Sequence, residues 1–428
     1  MAINSSSRRA FLQATSAAAA ATVLTARQSR AESANETIVV GIMGTNGRGN
    51  ALANGFAQQT NCRIAYVCDV DERAQEKGAA TVAKRQSQKP QVVTDFRKIL
   101  YDQSVDALVV AAPNHWHAPA TIFGCQAGKH VYVEKPCSHN PHEGEMAVAA
   151  SEKHNRVVTM GNQRRSWPKV QEAVARVRKG DIGEVLYSHG WYNNRRGTIG
   201  QGKTTAVPSW LDFNLWKGPA PRTEYRDNLV HYNWHWFWDW GNGEIGNNGI
   251  HALDICRWGL GVDYPIKVTS TGQRLRYDDD QQTPDTHMAT FEFPGKKMIM
   301  WEGVSWHPRG REGNMFGISF HGSEGTLVID RGGYRIFDMK NKQMEEHSGP
   351  SGDAEHLANF LDCIRSGEKP VSTIEEAHKS TLLCHLGNIA HRTGTQLETD
   401  ASNGHIRNEE IAQKYWSREY DPAFEPKV

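Results

Sequence analysis

A Gly-rich stretch, Gly44-Thr45-Asn46-Gly47-Arg48-Gly49, lies between a short apolar run and a helical pattern. Glycines at such a turn let the backbone approach a pyrophosphate, and the helix N-terminus adds free N–H groups and a positive dipole end. The match to G-x-G-x-x-G is imperfect: Gly44 and Gly49 fit, Asn46 stands at the second glycine, and Gly47 follows. Asn tolerates left-handed backbone better than most residues, so the turn is expected to survive. Asp69 comes about 20 residues on, where a carboxylate accepts hydrogen bonds from the adenine ribose hydroxyls and repels a 2′-phosphate. Val70 and Asp71 follow with no immediate Arg or Lys, which favours NAD over NADP. Further along, Glu134-Lys135-Pro136 closes another apolar run. A lysine at a strand's carboxyl end sits beside the nicotinamide, where the positive ring and partial burial depress its pKa. Such a lysine polarises a reacting oxygen or passes its proton. Asn247, His251 and Asp254 are spaced i, i+4, i+7, one face of a helix. His251 is the second proton-handling candidate, expected to titrate near neutrality. Asn247 hydrogen-bonds but takes no proton; with Asp254 it is expected to orient a substrate hydroxyl.

These groups need a frame. Residues 37–43, 62–67, 107–111, 130–133 and 156–158 are short, continuous apolar runs separated by helical stretches. That alternation argues for a parallel sheet covered on both faces, a doubly wound α/β domain over residues 35–160. Beyond it the strands lengthen and alternate, as at 288–293 and 297–303, which reads as half-exposed, mostly antiparallel sheet. Helical patterns return at 355–366 and 374–392. Residues 161–428 are read as a second, α+β domain.

Two segments add a family. Ala112-Pro113-Asn114-His115-Trp116-His117 follows the fourth strand, and Ala127-Gly128-Lys129-His130-Val131-Tyr132-Val133-Glu134-Lys135-Pro136 carries the fifth. With the Gly-rich turn and Asp69, this chain resembles the Gfo/Idh/MocA oxidoreductases, the family of glucose–fructose oxidoreductase and inositol dehydrogenase. The resemblance implies a Rossmann domain followed by an open-faced sheet that carries substrate residues and makes a subunit interface, hence a homo-oligomer. It extends the cofactor set to Gly44, Asn46, Gly47, Arg48, Gly49, Asp69, Pro113, Asn114, His117, Glu134, Lys135 and Gln163. It also implies no metal, although His115 and His117 have H-x-H spacing. His251 and Asp254 match the family's D-x-x-x-H-x-x-D helix, with Asn247 where several dehydrogenases carry a catalytic Asp. Three functions follow: hydride transfer between a sugar carbinol and a tightly bound NAD; redox-neutral glycoside cleavage, in which NAD is recycled in place; or sugar binding without catalysis.

Of 13 Trp in the chain, five fall within 234–258. Successive aromatics make poor core, because neighbouring side chains point different ways. Trp234, Trp236 and Trp238 read better as a loop rimming a sugar pocket, with Arg164 a further substrate contact at the domain junction. The first 31 residues resemble a twin-arginine export signal: Arg8-Arg9, Phe11-Leu12, an Ala-rich run too short to span a bilayer, and Ser29-Arg30-Ala31 as cleavage site. That predicts a periplasmic protein without a stable membrane anchor. The rest of the chain, from totals of 49 basic and 48 acidic residues, is near neutral, which gives no reason to expect nucleic acid as a partner. Seven Cys without a C-x-x-C pair read as buried free thiols.

Overall fold

The computed structural model describes residues 37–221 and 223–428; the export-signal segment lies outside them. Six short strands form a wholly parallel sheet: β1 (Ile38–Met43), β2 (Cys62–Cys68), β3 (Gln91–Val93), β4 (Ala107–Val110), β5 (His130–Val133) and β6 (Val158–Met160). Their order is β3-β2-β1-β4-β5-β6, so the direction of winding reverses between β1 and β4. In such sheets the crevice at the carboxyl ends, at this reversal, is where ligands bind. Helices α1 (Gly47–Phe56), α2 (Glu72–Ala83), α3 (His117–Gln126) and α4 (Pro141–Lys153) connect the strands. β6 starts two residues later than its apolar run predicts, and β3, with two of its three residues exposed, has no run to announce it.

The second sheet has nine strands. Its central members are β7 (Val185–Asn193), β8 (Lys267–Gln273), β9 (Thr286–Phe293), β10 (Lys297–Val304) and β11 (Phe316–Gly322). β7 and β10 pair in parallel, and the other neighbours are antiparallel. The fold is therefore a Rossmann half plus a mostly antiparallel α+β half. Helix α5 (Pro168–Lys179) leads into this sheet, and α6 (Ile250–Leu260) covers its inner face, where Ala252 lies against Gly190. Tyr187, Met298 and Met300 stand on the opposite face. Two later helices return to the first domain. Helix α7 (Asp353–Ser366) sets Phe360 against Phe56 and Tyr132, and α8 (Ile374–Thr393) is buried along most of its length between the two halves. All seven cysteines are free thiols.

One buried charge cluster ties the segment that follows β6 to α6 and α8. Asp254 on α6 accepts from Arg165 Nη2 at 2.8 Å, from Asn162 Nδ2 at 2.7 Å and from Ser380 Oγ on α8 at 2.7 Å. Burial alone would lift the Asp254 pKa, but the Arg165 guanidinium overrides it and holds the carboxyl below its ordinary range. The expected substrate role of Asp254 is thereby corrected: its oxygens are spent on this cluster, away from the cleft. Removing one partner of a buried ion pair strands the other charge. Asp254→Ala should therefore cost about 3–5 kcal/mol of stability, read as a lowered urea midpoint. An unchanged midpoint would show that the cluster does not hold the fold.

Candidate active site

The Gly-rich turn joins β1 to α1. Gly44 has φ +85°, and a Cβ there would lie 2.7 Å from the Ala111 carbonyl carbon. A Cβ on Gly49 would come within 1.7 Å of the Gly44 oxygen, so Gly49 serves the close packing of helix on turn and does not line the cleft. Gly47 has nothing within 4 Å of its Cβ position and keeps the cleft floor open. Asn46 has φ −74° and is not left-handed; Gly44 takes the positive φ instead. The first turn of α1 carries no acid, which leaves its N–H groups and dipole free for a phosphate.

Asp69 lies beyond the carboxyl end of β2, 8% exposed. Its Oδ2 accepts from Thr45 N at 2.6 Å and its Oδ1 from Asp71 N at 3.0 Å. Burial raises its pKa, against the pull of these two N–H groups. One carboxylate thus ties the Gly-rich turn to the ribose end of the cleft. The cleft, of about 530 Å³, runs from there to Lys135.

At the far end a row of charges crosses both domains. Glu134 accepts from Arg48 Nε at 2.7 Å, and Lys135 Nζ donates to the backbone oxygen of Asn247 at 2.8 Å and to its Oδ1 at 2.9 Å. Burial lowers the Lys135 pKa, with Glu134 and Glu244 pulling the other way. Burial would raise that of Glu134, but Arg48 keeps it low. The Lys135-Pro136 bond is cis. Asn247 lies in a π-turn, Ile245–Gly249, that precedes α6, so the expected regular helix is interrupted here. Such turns recur at functional sites. His251 lines the same end, and its buried Nδ1 has no hydrogen-bond partner. Burial, then Lys135, drives its pKa well below 6.5; the expectation of a value near neutrality is corrected, and the ring is neutral.

Of the cofactor set, Gly44, Asn46, Gly47, Arg48, Asp69, Pro113, Asn114, His117, Glu134, Lys135 and Gln163 line the cleft. His117 sits between the Pro136 and Ala112 carbonyls at 2.6 and 2.8 Å, and His115 takes the Trp216 carbonyl at 2.8 Å, so both rings are engaged by backbone. Of the substrate set, Asn247 and Trp234 line the cleft, and three others need correction. Trp236 is 3% exposed and lies beneath Arg196, 4.8 Å from its guanidinium. Trp238 faces a different pocket. Arg164 is packed against Trp167 and Phe316 and donates to the Arg331 carbonyl. The aromatic segment is divided: Trp234 lines the cleft, whereas Phe237 and Trp240 join Leu211, Phe213, Trp216 and Tyr225 in a small core of their own. Cleft residues that the sequence did not reveal include Phe96, Trp216, His231, Tyr232 and His235.

The site and fold have counterparts. The model of the oxidoreductase family's NAD-binding Rossmann fold matches residues 37–162, and that of its C-terminal alpha/beta domain matches residues 188–422. The chain belongs to the Gfo/Idh/MocA oxidoreductase family. An alpha-N-acetylgalactosaminidase of Shewanella oneidensis is 24% identical over 161 residues, 37% of this chain and 35% of that protein. The chain thus matches about a third of the length of such curated relatives. A levoglucosan dehydrogenase solved with NADH and levoglucosan superposes with a TM-score of 0.66 at 18% identity, covering 85% of this chain and 99% of that one. The WlbA dehydrogenase of Bordetella pertussis, solved with NADH and UDP-GlcNAcA, gives 0.67 at 18% identity, with 85% and 98% covered. These two likenesses show that the fold, over 85% of this chain, is shared with those dehydrogenases. The residues of the cleft fit NAD: an open glycine floor, an uncapped helix end and a buried carboxylate, in the order that pyrophosphate and ribose require.

Proposed function

We propose that this Gfo/Idh/MocA protein transfers hydride between a carbohydrate carbinol and NAD. The observation that carries the proposal is the meeting of Lys135 and Asn247 with His251 at one end of the glycine-floored cleft. NAD, when bound, supplies the nicotinamide carbon that gains or gives the hydride. The chain's own residues handle the hydroxyl proton. Lys135, held by Asn247, takes or returns it at Nζ, and neutral His251, which lines the same end of the cleft, orients the hydroxyl. Glu134 and Gln163 shape the nicotinamide side.

A redox-neutral variant, a glycosidase that oxidises, eliminates and then reduces, has its own support. A strap from the second domain crosses the adenosine end of the cleft: Asp212 N donates to the Val70 carbonyl at 2.9 Å, Glu72 N to the Trp210 carbonyl at 3.1 Å, and His231 Nε2 meets Asp71 at 2.8 Å. Such a strap favours a cofactor that stays bound through many turnovers.

Lys135→Ala should leave nucleotide bound and cut turnover by roughly 10²–10⁴-fold, the usual weight of acid–base catalysis. For alcohol oxidation the neutral amine is the active form. Burial favours it, so the limb of the pH profile that rises with pH should fall below pH 10.5, the ordinary lysine value. The variant should lose that limb. A glycoside panel with product analysis reads both versions, since ketone accumulates in one and cleaved aglycone in the other. Normal turnover by Lys135→Ala would sink the assignment.

Asp69 supports NAD over NADP through repulsion of a 2′-phosphate. Asp69→Ala should weaken NAD binding and narrow its advantage over NADP, measured by titration of both reduced cofactors. Equal affinities in the unmutated protein would end this reading.

We also propose export to the periplasm, on the Arg8-Arg9 segment. Replacing both arginines with Lys should retain the protein in the cytoplasm on fractionation; unchanged export would refute it.

A further inference from the structure

The strap from Trp210 to Gly218 ties together the two lips of the cleft's adenosine end. One lip is Asp69 to Arg73, beyond β2; the other is Pro113 to His117, beyond β4. In the sheet these two strands flank β1, whose end carries the Gly-rich turn. At the first lip Leu211 makes an antiparallel bridge to Asp71, flanked by the bonds from Asp212 N to the Val70 carbonyl and from Glu72 N to that of Trp210. At the second lip the Trp216 carbonyl accepts from His115 Nε2 at 2.8 Å and from Trp116 Nε1 at 3.2 Å. Near this second attachment Leu215 and Trp216 line the cleft itself. The strap therefore roofs the adenosine end from lip to lip.

The two attachments differ in kind. The second is buried and close-packed: His115, Trp116 and Trp216 are all buried, and Gly218, with φ +47°, presses so closely on the Trp116 ring that a Cβ there would clash. The first is shallow. Trp210 is half-buried, and the Arg73 guanidinium, on a side chain 57% exposed, lies 3.4 Å from the centroid of its ring. Arg73 also pairs with Asp71 Oδ2 at 2.7 Å, and His231 Nε2, from the same connection as the strap, meets that oxygen at 2.8 Å. Burial would raise the Asp71 pKa, but Arg73 and His231 hold it at about 2, so the carboxylate stays an anion. Little apolar surface of the first domain is engaged here. Leu211, Phe213 and Trp216 of the strap share a core with Tyr225, Leu229, Phe237 and Trp240 of their own connection. Among the described residues Val70 is the one first-domain hydrophobic packed against it. Lifting the first end exposes polar contacts and one valine, whereas lifting the second separates packed aromatic rings.

We propose that the strap is a gate on cofactor exchange, hinged on the lip beyond β4 and latched on the lip beyond β2 by the Trp210–Arg73 and His231–Asp71 contacts. The proposal rests on the reading that the cleft holds NAD, and not on which carbinol is oxidised. A gate differs from a contact in its kinetics. A contact that only stabilises bound nucleotide slows its release and leaves its entry alone. A gate slows both, because the same opening must precede each. Arg73 and Trp210 are not part of the cleft lining, so they act on the nucleotide through the strap.

Two measurements on the full chain test this. Exchange of bound NAD for isotope-labelled NAD, read by mass spectrometry of the bound nucleotide after rapid desalting, gives the release rate. Equilibrium dialysis against graded NAD gives Kd, and the ratio of the two gives the entry rate. Arg73→Ala and Trp210→Ala, both at positions that are not fully buried, should each speed exchange tenfold or more while Kd stays within threefold, so that entry quickens with release. Exchange at the unmutated rate in both variants overturns the gate. Faster exchange with Kd weakened in the same proportion also overturns it, since that is the signature of a contact alone. Failure of the unmutated protein to take up NAD at all would overturn the gate together with the NAD reading of the cleft, whereas the other two outcomes leave that reading standing.

Discussion

The Lys135 ammonium donates to two oxygens of Asn247, at 2.8 and 2.9 Å, and so joins the end of β5 to the π-turn of the other domain. Taking an ammonium out of water costs several kcal/mol unless charges and hydrogen bonds replace the solvent. Here they do. Glu134 and Glu244, both nearly fully buried, lie on either side of it, and each is held in turn by an arginine, Arg48 or Arg196. The result is a row of alternating sign that starts at the Gly-rich turn and ends at the aromatic segment. Loss of Arg48 or Arg196 would take the ion-pair partner from Glu134 or Glu244, so the charge pattern at this end of the cleft rests on both domains. The Glu244 carboxylate also receives Asn247 Nδ2 at 3.4 Å, which turns the amide oxygen toward Lys135.

Much of the first domain was legible because its signals are local. Short apolar runs must be buried on both faces, and a glycine that takes φ +85° beside another backbone has few substitutes. The cofactor side of the cleft follows from these, since the ends of β1, β2, β4 and β5 all open on one crevice. What stayed hidden was set by long-range contact. β3 has three residues and two of them are exposed, so no period marks it. The cleft lining from Trp216 and His231 comes from a segment with little regular structure, whose position is decided by where it docks on Val70 and Glu72.

The same distinction explains the misplaced residues. Asp254 has the spacing of a site residue because it lies on the site helix, but one turn beyond His251 the helix has passed the cleft and meets Arg165 and Ser380. The tryptophans mislead for another reason. Aromatics close together in sequence predict a shared place only if the backbone is regular, and here it is a 3₁₀ turn followed by a bend. Trp234 therefore faces the cleft, Trp236 and Trp240 go to the interior, and Trp238 reaches the second pocket. A long connection without substantial strands or helices must find its own core, and indoles are the largest apolar groups available to make one.

Asn at position 247 bears on how the site works. A carboxylate there would lie in direct contact with the Lys135 ammonium and raise its pKa, opposing the burial that lowers it. The amide offers hydrogen bonds of similar geometry without the charge. The remaining carboxylates act less directly, and both are already engaged by arginines. Burial then dominates, and the lysine pKa falls. A lysine whose charged form is disfavoured gives and takes a proton more readily than a fully paired one. On this argument the exchange of acid for amide does not empty the site of acid–base capacity. In the proposed reaction, proton handling would then fall to the Lys135 amine, with neutral His251 beside it.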